Sequence, residues 1–453
     1  MPGLDRSRIG PLTERELELF RRTHPGSGEL ARQARASLLY GVPMNWMIRT
    51  PGAWPVFIDQ AQGAHCTDVD GNDLTDFCLG DTGAMAGHGP PAVVRALAGQ
   101  AGRGLTFMLP TRDAAWVGNE LTRRFGVPYW QFALTATDAN RFAIRWAREI
   151  TGRPKIVVHN WNYHGSVDET MAQLSDDGAL VPRAGLIGQA TPLDLTTKVV
   201  EINDLEGLEL ALRDRDVACV LFEPALTNIG IVLPEPGYHD DVRRLCDEHG
   251  TLLIIDETHT ICAGPGGCTR AWQLSPDIVT IGKTLGAGVP AAAFGVTAAV
   301  ADQIYAHTDL VHADVGGTGG TLAGNALSMA AMRATLSGVL TDAAFARMIE
   351  LGERFERGVQ QVIDVCRLPF HVTRLGCRTE YLFRPQRATT GAQAAAGQDQ
   401  DLDSLIHLYM LNRGILMTPF HNMALMSPAT EEQDVDRHTE VFAEAMQELG
   451  GTG

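Results

Sequence analysis

The chain has 453 residues, 45% of them hydrophobic and 20% charged, and a formal net charge of −17. That is apolar material for two or three domain-sized cores, and the acidic balance excludes a surface built for nucleic-acid phosphates. There is no apolar run of about 18 residues to span a bilayer and no CxxC pair among the eight cysteines, so a cytoplasmic protein with reduced thiols is expected.

Met1 to Arg22 is charged and has no apolar signal core, so export is not expected. Asp68-Val69-Asp70-Gly71-Asn72 has the look of a calcium loop but lacks its glycine and later glutamate; Asp-Gly between strand-like runs predicts a hairpin turn. Seven strand-length apolar runs follow: Trp130–Leu134, Lys155–His159, Lys198–Ile202, Ala218–Phe222, Leu252–Ile255, Ile278–Ile281 and Ala292–Val296. Helical spacing links several of them. Ala139, Phe142, Ala143, Trp146, Ala147 and Ile150 mark one helix. Tyr238, Val242, Leu245 and Cys246 mark another, closed by Gly250. Such alternation predicts a mostly parallel sheet covered on both faces. The last runs are too close for an intervening helix, so one strand there is expected to be antiparallel.

Beyond about Gly338 a long helix is predicted over Asp342 to Asp364, then short strands near Thr373 and over Thr379–Phe383. Arg384 to Asp401, rich in Ala, Gln and Gly, reads as a mobile surface loop. A final helix is expected to open on a capping box of Thr430 and Gln433 and to bury Val435, Phe442, Ala445 and Leu449.

Two strand ends carry the strongest chemical signal. Ile254-Ile255-Asp256-Glu257 and Ile281-Gly282-Lys283-Thr284 place a carboxylate and an amine on the sheet edge where ligands of parallel sheets bind. That pair suits pyridoxal phosphate, which needs a lysine for its aldehyde and a carboxylate for its ring nitrogen; a rim salt bridge would use the same residues. Thr135-Ala136-Thr137 opens the first helix and offers N–H groups and hydroxyls to a phosphate, or a plain N-cap. Tyr163 in Tyr163-His164-Gly165 follows the second strand and can stack on a planar ring or on the core.

Together these pieces resemble the class III pyridoxal-phosphate aminotransferases, nearest to the glutamate-1-semialdehyde aminomutase-like group. The resemblance extends over nearly the whole chain, from Gly63–Asn72 and Gly87-His88-Gly89-Pro90 through Glu223-Pro224, Asn228 and Gly230 to Gly320-Thr321 and Asn325. It implies an α/β enzyme of pyridoxal-phosphate fold type I, with a mostly parallel seven-stranded sheet and a smaller α+β domain. The expected division is an N-terminal segment 1–75, a large cofactor domain 76–338 and a small domain 339–453. It also implies a homodimer with shared active sites, binding small amines and carbonyl compounds. Residue by residue, Lys283 resembles the Schiff-base lysine and Asp256 the partner of the pyridine nitrogen. Tyr163 resembles the stacking aromatic, and Thr135, Ala136 and Thr137 the phosphate turn. His259 falls in the slot beside the phenolic oxygen, and Thr321 matches the residue that reaches the other subunit's phosphate.

The departures concern substrate more than cofactor. Thr135-Ala136 replaces the usual Ser-Gly, Thr258 replaces a valine, and Thr260-Ile261-Cys262-Ala263 lacks the arginine often found there. Arg49, in an aromatic and Met-rich stretch, is the candidate grip for a substrate carboxylate; an exposed surface arginine is the alternative. Position 277 is Asp, which removes the P-loop reading of Gly282-Lys283-Thr284. Gly286–Ala291 contains Pro290 and leads into a short strand rather than a helix, so it is not a dinucleotide loop. The histidines have no metal-site spacing. The expected activity is transfer of an amino group between an amino acid or amine and a keto acid or aldehyde. The alternative is an aminomutase or epimerase using the same Lys283.

Overall fold

The seven apolar runs form one sheet in the computed structural model, which describes residues 3–309 and 316–450. Its strands are β1 (Tyr129–Ala133), β2 (Lys155–His159), β3 (Thr197–Val200), β4 (Val217–Phe222), β5 (Leu252–Asp256), β6 (Ile278–Ile281) and β7 (Ala292–Val296). Their spatial order is β1-β7-β6-β5-β4-β2-β3. β7 runs antiparallel to both neighbours, as the short β6–β7 connection requires; the remaining pairs are parallel. All six residues of β4 are buried, which is why the central strands read as unbroken apolar runs rather than alternating ones.

Helix Ala136–Thr151 buries the predicted stripe, Ala139 through Ile150, against Ile156, Leu221, Ile254 and Phe294 of the sheet. Helix Tyr238–His249 ends at Gly250, whose φ of 61° is the left-handed cap expected of it. This unit comprises Pro91–Phe345 together with Ala388–Ala396. The second unit comprises Met1–Pro90, Ala346–Arg387 and Gly397–Gly453. In it, strands His65–Asp68 and Asp73–Asp76 pair antiparallel. The Asp68 carboxylate accepts the N–H groups of Asp70 and Asn72 at 2.9 and 2.8 Å, so it builds the turn. Strand Ile415–Leu416 joins Asp73–Asp76 in parallel, over a core of Phe20, Leu74, Leu408 and Leu411. Among the described residues no helix is long and apolar enough to cross a membrane.

Two expectations are corrected. The final helix, Glu432–Leu449, is capped one residue later than its sequence suggested. Glu431 and Asp434 form the box, while Thr430 accepts the Ser427 N–H at 2.9 Å. The Arg384–Asp401 stretch is not a free loop. Thr390 caps the short helix Gly391–Ala395, Gly391 donates its N–H to Glu201 at 2.8 Å, and Ala388 and Ala394 are buried. Small residues gave the stretch a solvated look, but at Gly391 the lack of a side chain lets the backbone approach the Asn160 carbonyl, which a Cβ would meet at 2.6 Å.

The β7–β1 pairing yields a stability prediction. Gly295 faces Trp130 in register, and a Cβ at position 295 would stand 2.6 Å from the indole. That ring is held by its bond to the Val127 carbonyl at 2.9 Å and by Phe125 at 5.8 Å. Gly295→Ala should therefore destabilise the protein by about 1–3 kcal/mol through overpacking, measured as a lower thermal midpoint. An unchanged midpoint would mean that the ring yields.

Candidate active site

Asp256 closes β5 and pairs in register with Thr280 on β6, three residues before Lys283. The strand ends thus set the carboxylate and the lysine side by side on the ligand edge of the sheet. The N-terminus of helix Ala136–Thr151 meets them there. Thr135 is its N-cap, accepting the Asp138 N–H at 3.1 Å, which is the plain capping role its chemistry allowed. Ala136 and Thr137, the first two helical residues, have N–H groups with no intrahelical acceptor. Gly282 packs directly on this turn, since a Cβ there would lie 2.9 Å from the Ala136 methyl and 3.1 Å from its nitrogen. The loop after β2 closes from the other side. Thr137 Oγ1 accepts the Ser166 N–H at 3.1 Å, and Gly165, with φ of 79°, fits against the threonine where no side chain could.

Asp256 is 2% exposed and surrounded by donors. His164 Nδ1 lies 2.9 Å from Oδ2. Asn140 Nδ2 donates to the same oxygen at 2.8 Å, and the Thr258 N–H donates to Oδ1 at 3.0 Å. Thr280 donates to Asn140 Oδ1 at 2.6 Å and fixes which way that amide points. Burial alone would raise the Asp256 pKa; the bond and charge of His164, with Thr258 and Asn140, outweigh it and hold the carboxyl below its ordinary value. Glu257 next door differs. Burial raises its pKa in spite of bonds from Thr260, Thr269 and Cys268, so it acts as a clamp on the 260–269 segment.

Lys283 has a left-handed backbone, φ 44°, a conformation costly for a side-chain-bearing residue and characteristic of functional sites. Its Nζ lies 2.8 Å from His259 Nε2. Tyr163 adjoins His164, and the Arg183 guanidinium stands 5.5 Å from its ring centroid. Thr135, Ala136, Thr137, Asp256, His259 and Lys283 therefore converge, with Tyr163 on the adjoining loop. Thr321 is exposed and lines a cavity of about 270 Å³ with Leu134, Asp138 and Phe142. Arg49 ends the turn Asn45–Arg49 of the other unit, with its guanidinium 5.9 Å from the Phe420 ring centroid.

Sequence reasoning missed Asn140, His164 and Thr280 as partners of Asp256. The available signal for Asn140 was a polar side chain inside the apolar stripe of its helix, since a buried amide must be hydrogen-bonded. His164 lay beside a residue already singled out.

The geometry specifies what the site can hold. A buried carboxylate kept ionised suits a protonated ring nitrogen, a helix start with unbonded N–H groups suits a phosphate, and a strand-end amine suits an aldehyde. These are the three attachment points of pyridoxal phosphate, and the residues present fit it.

Replacing His164 with leucine tests the Asp256 network. It removes a hydrogen bond to a charged group, expected to cost about 1.5–3 kcal/mol at neutral pH. The stability that Asp256 contributes is present above the ordinary carboxylate range and lost as pH falls through its lowered native value. Without His164 that native value rises, so the variant should begin to lose the contribution at higher pH. Acid unfolding curves identical in shape and midpoint would refute the coupling.

The family model for class III aminotransferases matches residues 48–446. The chain is 33% identical over 416 residues to a glutamate-1-semialdehyde 2,1-aminomutase of Chloroflexus aggregans, covering 88% of this chain and 92% of the relative. A crystal structure of a glutamate-1-semialdehyde-aminomutase from Pseudomonas aeruginosa superposes with a TM-score of 0.97 at 48% identity, covering 99% of this chain and all of that one. A variant of that protein was crystallised in complex with PMP. An omega-transaminase from Sphaerobacter thermophilus superposes at 0.86 with 26% identity, covering 95% of this chain and 99% of the other. This chain is an enzyme of the class III aminotransferase family, with fold type I and pyridoxal phosphate as its cofactor.

Proposed function

We propose that this enzyme is an aminomutase, shifting an amino group between neighbouring carbons of a single substrate. The observation that carries the reading is the 48% identity, over 99% of the chain, to a protein described as a glutamate-1-semialdehyde-aminomutase. Several relatives at 31–33% identity are described as 2,1-aminomutases, which supports it further. A small amino aldehyde or amino ketone is the corresponding substrate class.

The bound cofactor supplies the electron sink. Lys283 would hold its aldehyde carbon, the N–H groups of Ala136 and Thr137 beside the Thr135 cap would receive its phosphate, and Tyr163 would lie against its ring. Asp256, locked by His164 and Asn140, would keep the ring nitrogen protonated. With the cofactor bound, Lys283 would be the residue placed to take the proton from the amine-bearing carbon of the substrate and to give it back.

Plain transamination is the second reading. It uses the same residues, and the likeness to an omega-transaminase, at a TM-score of 0.86 and 26% identity, supports it. Incubation with doubly labelled ¹⁵N,¹³C substrate and no co-substrate separates the two. The aminomutase reading expects an isomer that retains both labels, and Lys283→Ala should abolish its formation. Stoichiometric release of an unaminated carbonyl product, leaving aminated cofactor behind, would establish transamination instead.

The reading includes a cytoplasmic homodimer in which Thr321 reaches the partner's cofactor phosphate. Losing one hydrogen bond to a charged group is worth about 1.5–3 kcal/mol, so Thr321→Ala should weaken cofactor binding about ten- to a hundred-fold. A mixed dimer of Lys283→Ala and Thr321→Ala subunits assigns the contact. Tight cofactor binding at the Lys283-bearing site supports a cross-subunit contact, and weak binding there excludes it.

A further inference from the structure

We infer that His259 is a second proton-carrying residue of this active site, exchanging a proton with Lys283 through Nε2. The inference rests on the reading of Lys283 as the reacting amine. The contact is direct, 2.8 Å between Nζ and Nε2, and His259 is only 7% exposed. An ammonium has donors and no acceptor. Nε2 must therefore be the accepting nitrogen when Lys283 is charged, with the imidazole neutral and its hydrogen on Nδ1.

Both ends of the contact are held. The left-handed backbone at Lys283, φ 44°, sets the direction in which the lysine leaves β6. His259 sits in a turn pinned from below. Its carbonyl accepts the Cys262 N–H at 3.2 Å, and the Glu257 carbonyl accepts that of Ile261 at 3.0 Å. The Glu257 carboxylate fastens the following segment through Thr260, Cys268 and Thr269. The two acidic groups of the strand end are committed elsewhere, Glu257 to that clamp and Asp256 to His164, Asn140 and Thr258. The imidazole is the group on this turn positioned to serve the lysine.

The chemistry needs such a group. Lys283 has to be an uncharged amine to attack an aldehyde and again to accept a substrate proton, so any proton it carries must leave first. In the proposed step one N–H bond of the Lys283 ammonium breaks and an Nε2–H bond forms. The positive charge moves from the ammonium to the imidazolium, and no electrons are exchanged. The reverse transfer reloads Lys283. Imidazole is the side chain suited to such traffic near neutral pH.

The test uses the full-length chain stripped of cofactor. Pyridoxal phosphate is added, borohydride is added at timed intervals, and peptide mapping gives the rate at which Lys283 becomes labelled. His259→Gln keeps a hydrogen-bonding side chain that cannot carry a proton; His259→Ala leaves space for free imidazole. Thermal melting identifies the variants that are folded. Both folded variants should label Lys283 about 100-fold more slowly than the parent, and added imidazole should restore the alanine variant. A glutamine variant that labels at close to the parent rate would overturn the inference, since hydrogen-bond placement would then suffice. So would an alanine variant that is slow and indifferent to imidazole. Label on another lysine in the parent protein would instead overturn the assignment of Lys283 itself.

Discussion

An ionised carboxylate in a dry interior is expensive unless its charge is met by donors fixed in advance. Asp256 is such a group, and the arrangement around it explains much of the surrounding fold. His164 arrives from the loop after β2, Asn140 from the helix after β1, and Thr258 from the turn after β5. These chain segments are distant in sequence, and they come together because the sheet order places their strand ends along one edge. Thr280 on β6 then orients Asn140. The carboxylate is thus the point on which a loop, a helix and a turn agree.

Asp256 and Glu257 are adjacent and equally buried, yet their proton affinities shift in opposite directions. Where the environments of two titratable groups push them apart, their roles divide. Asp256 is held charged and faces the site. Glu257 is turned into the 260–269 segment and holds a backbone. The Asp-Glu pair is therefore one electrostatic residue and one structural residue.

The sheet was legible because its central strands are buried on both faces, which leaves continuous apolar runs in β4, β5 and β6. Lys283 and Asp256 were legible because strand ends are where such sheets bind ligands. Asn140 and His164 were not, since their importance arises from convergence in space with a carboxylate more than 90 positions away. The cap of the last helix was misplaced by one residue because Thr430 and Glu431 can each accept a hydrogen bond, and tertiary packing chose between them. The Arg384–Asp401 stretch was misjudged because composition reports the absence of bulky side chains, not whether small ones are buried. His259 could be placed beside the cofactor by resemblance alone, but its contact with the lysine amine is visible only in three dimensions.

The path of the chain through its two units has a consequence for synthesis. Phe20 and Leu74 are buried against Leu408 and Leu411, and strand Asp73–Asp76 pairs with Ile415–Leu416. The first 90 residues thus emerge from a ribosome long before the segments that complete their core. At translation rates of about 5–20 residues per second, that wait is on the order of tens of seconds. The core that Phe20 and Leu74 belong to is therefore completed only after Leu408, Leu411 and the strand Ile415–Leu416 have been made.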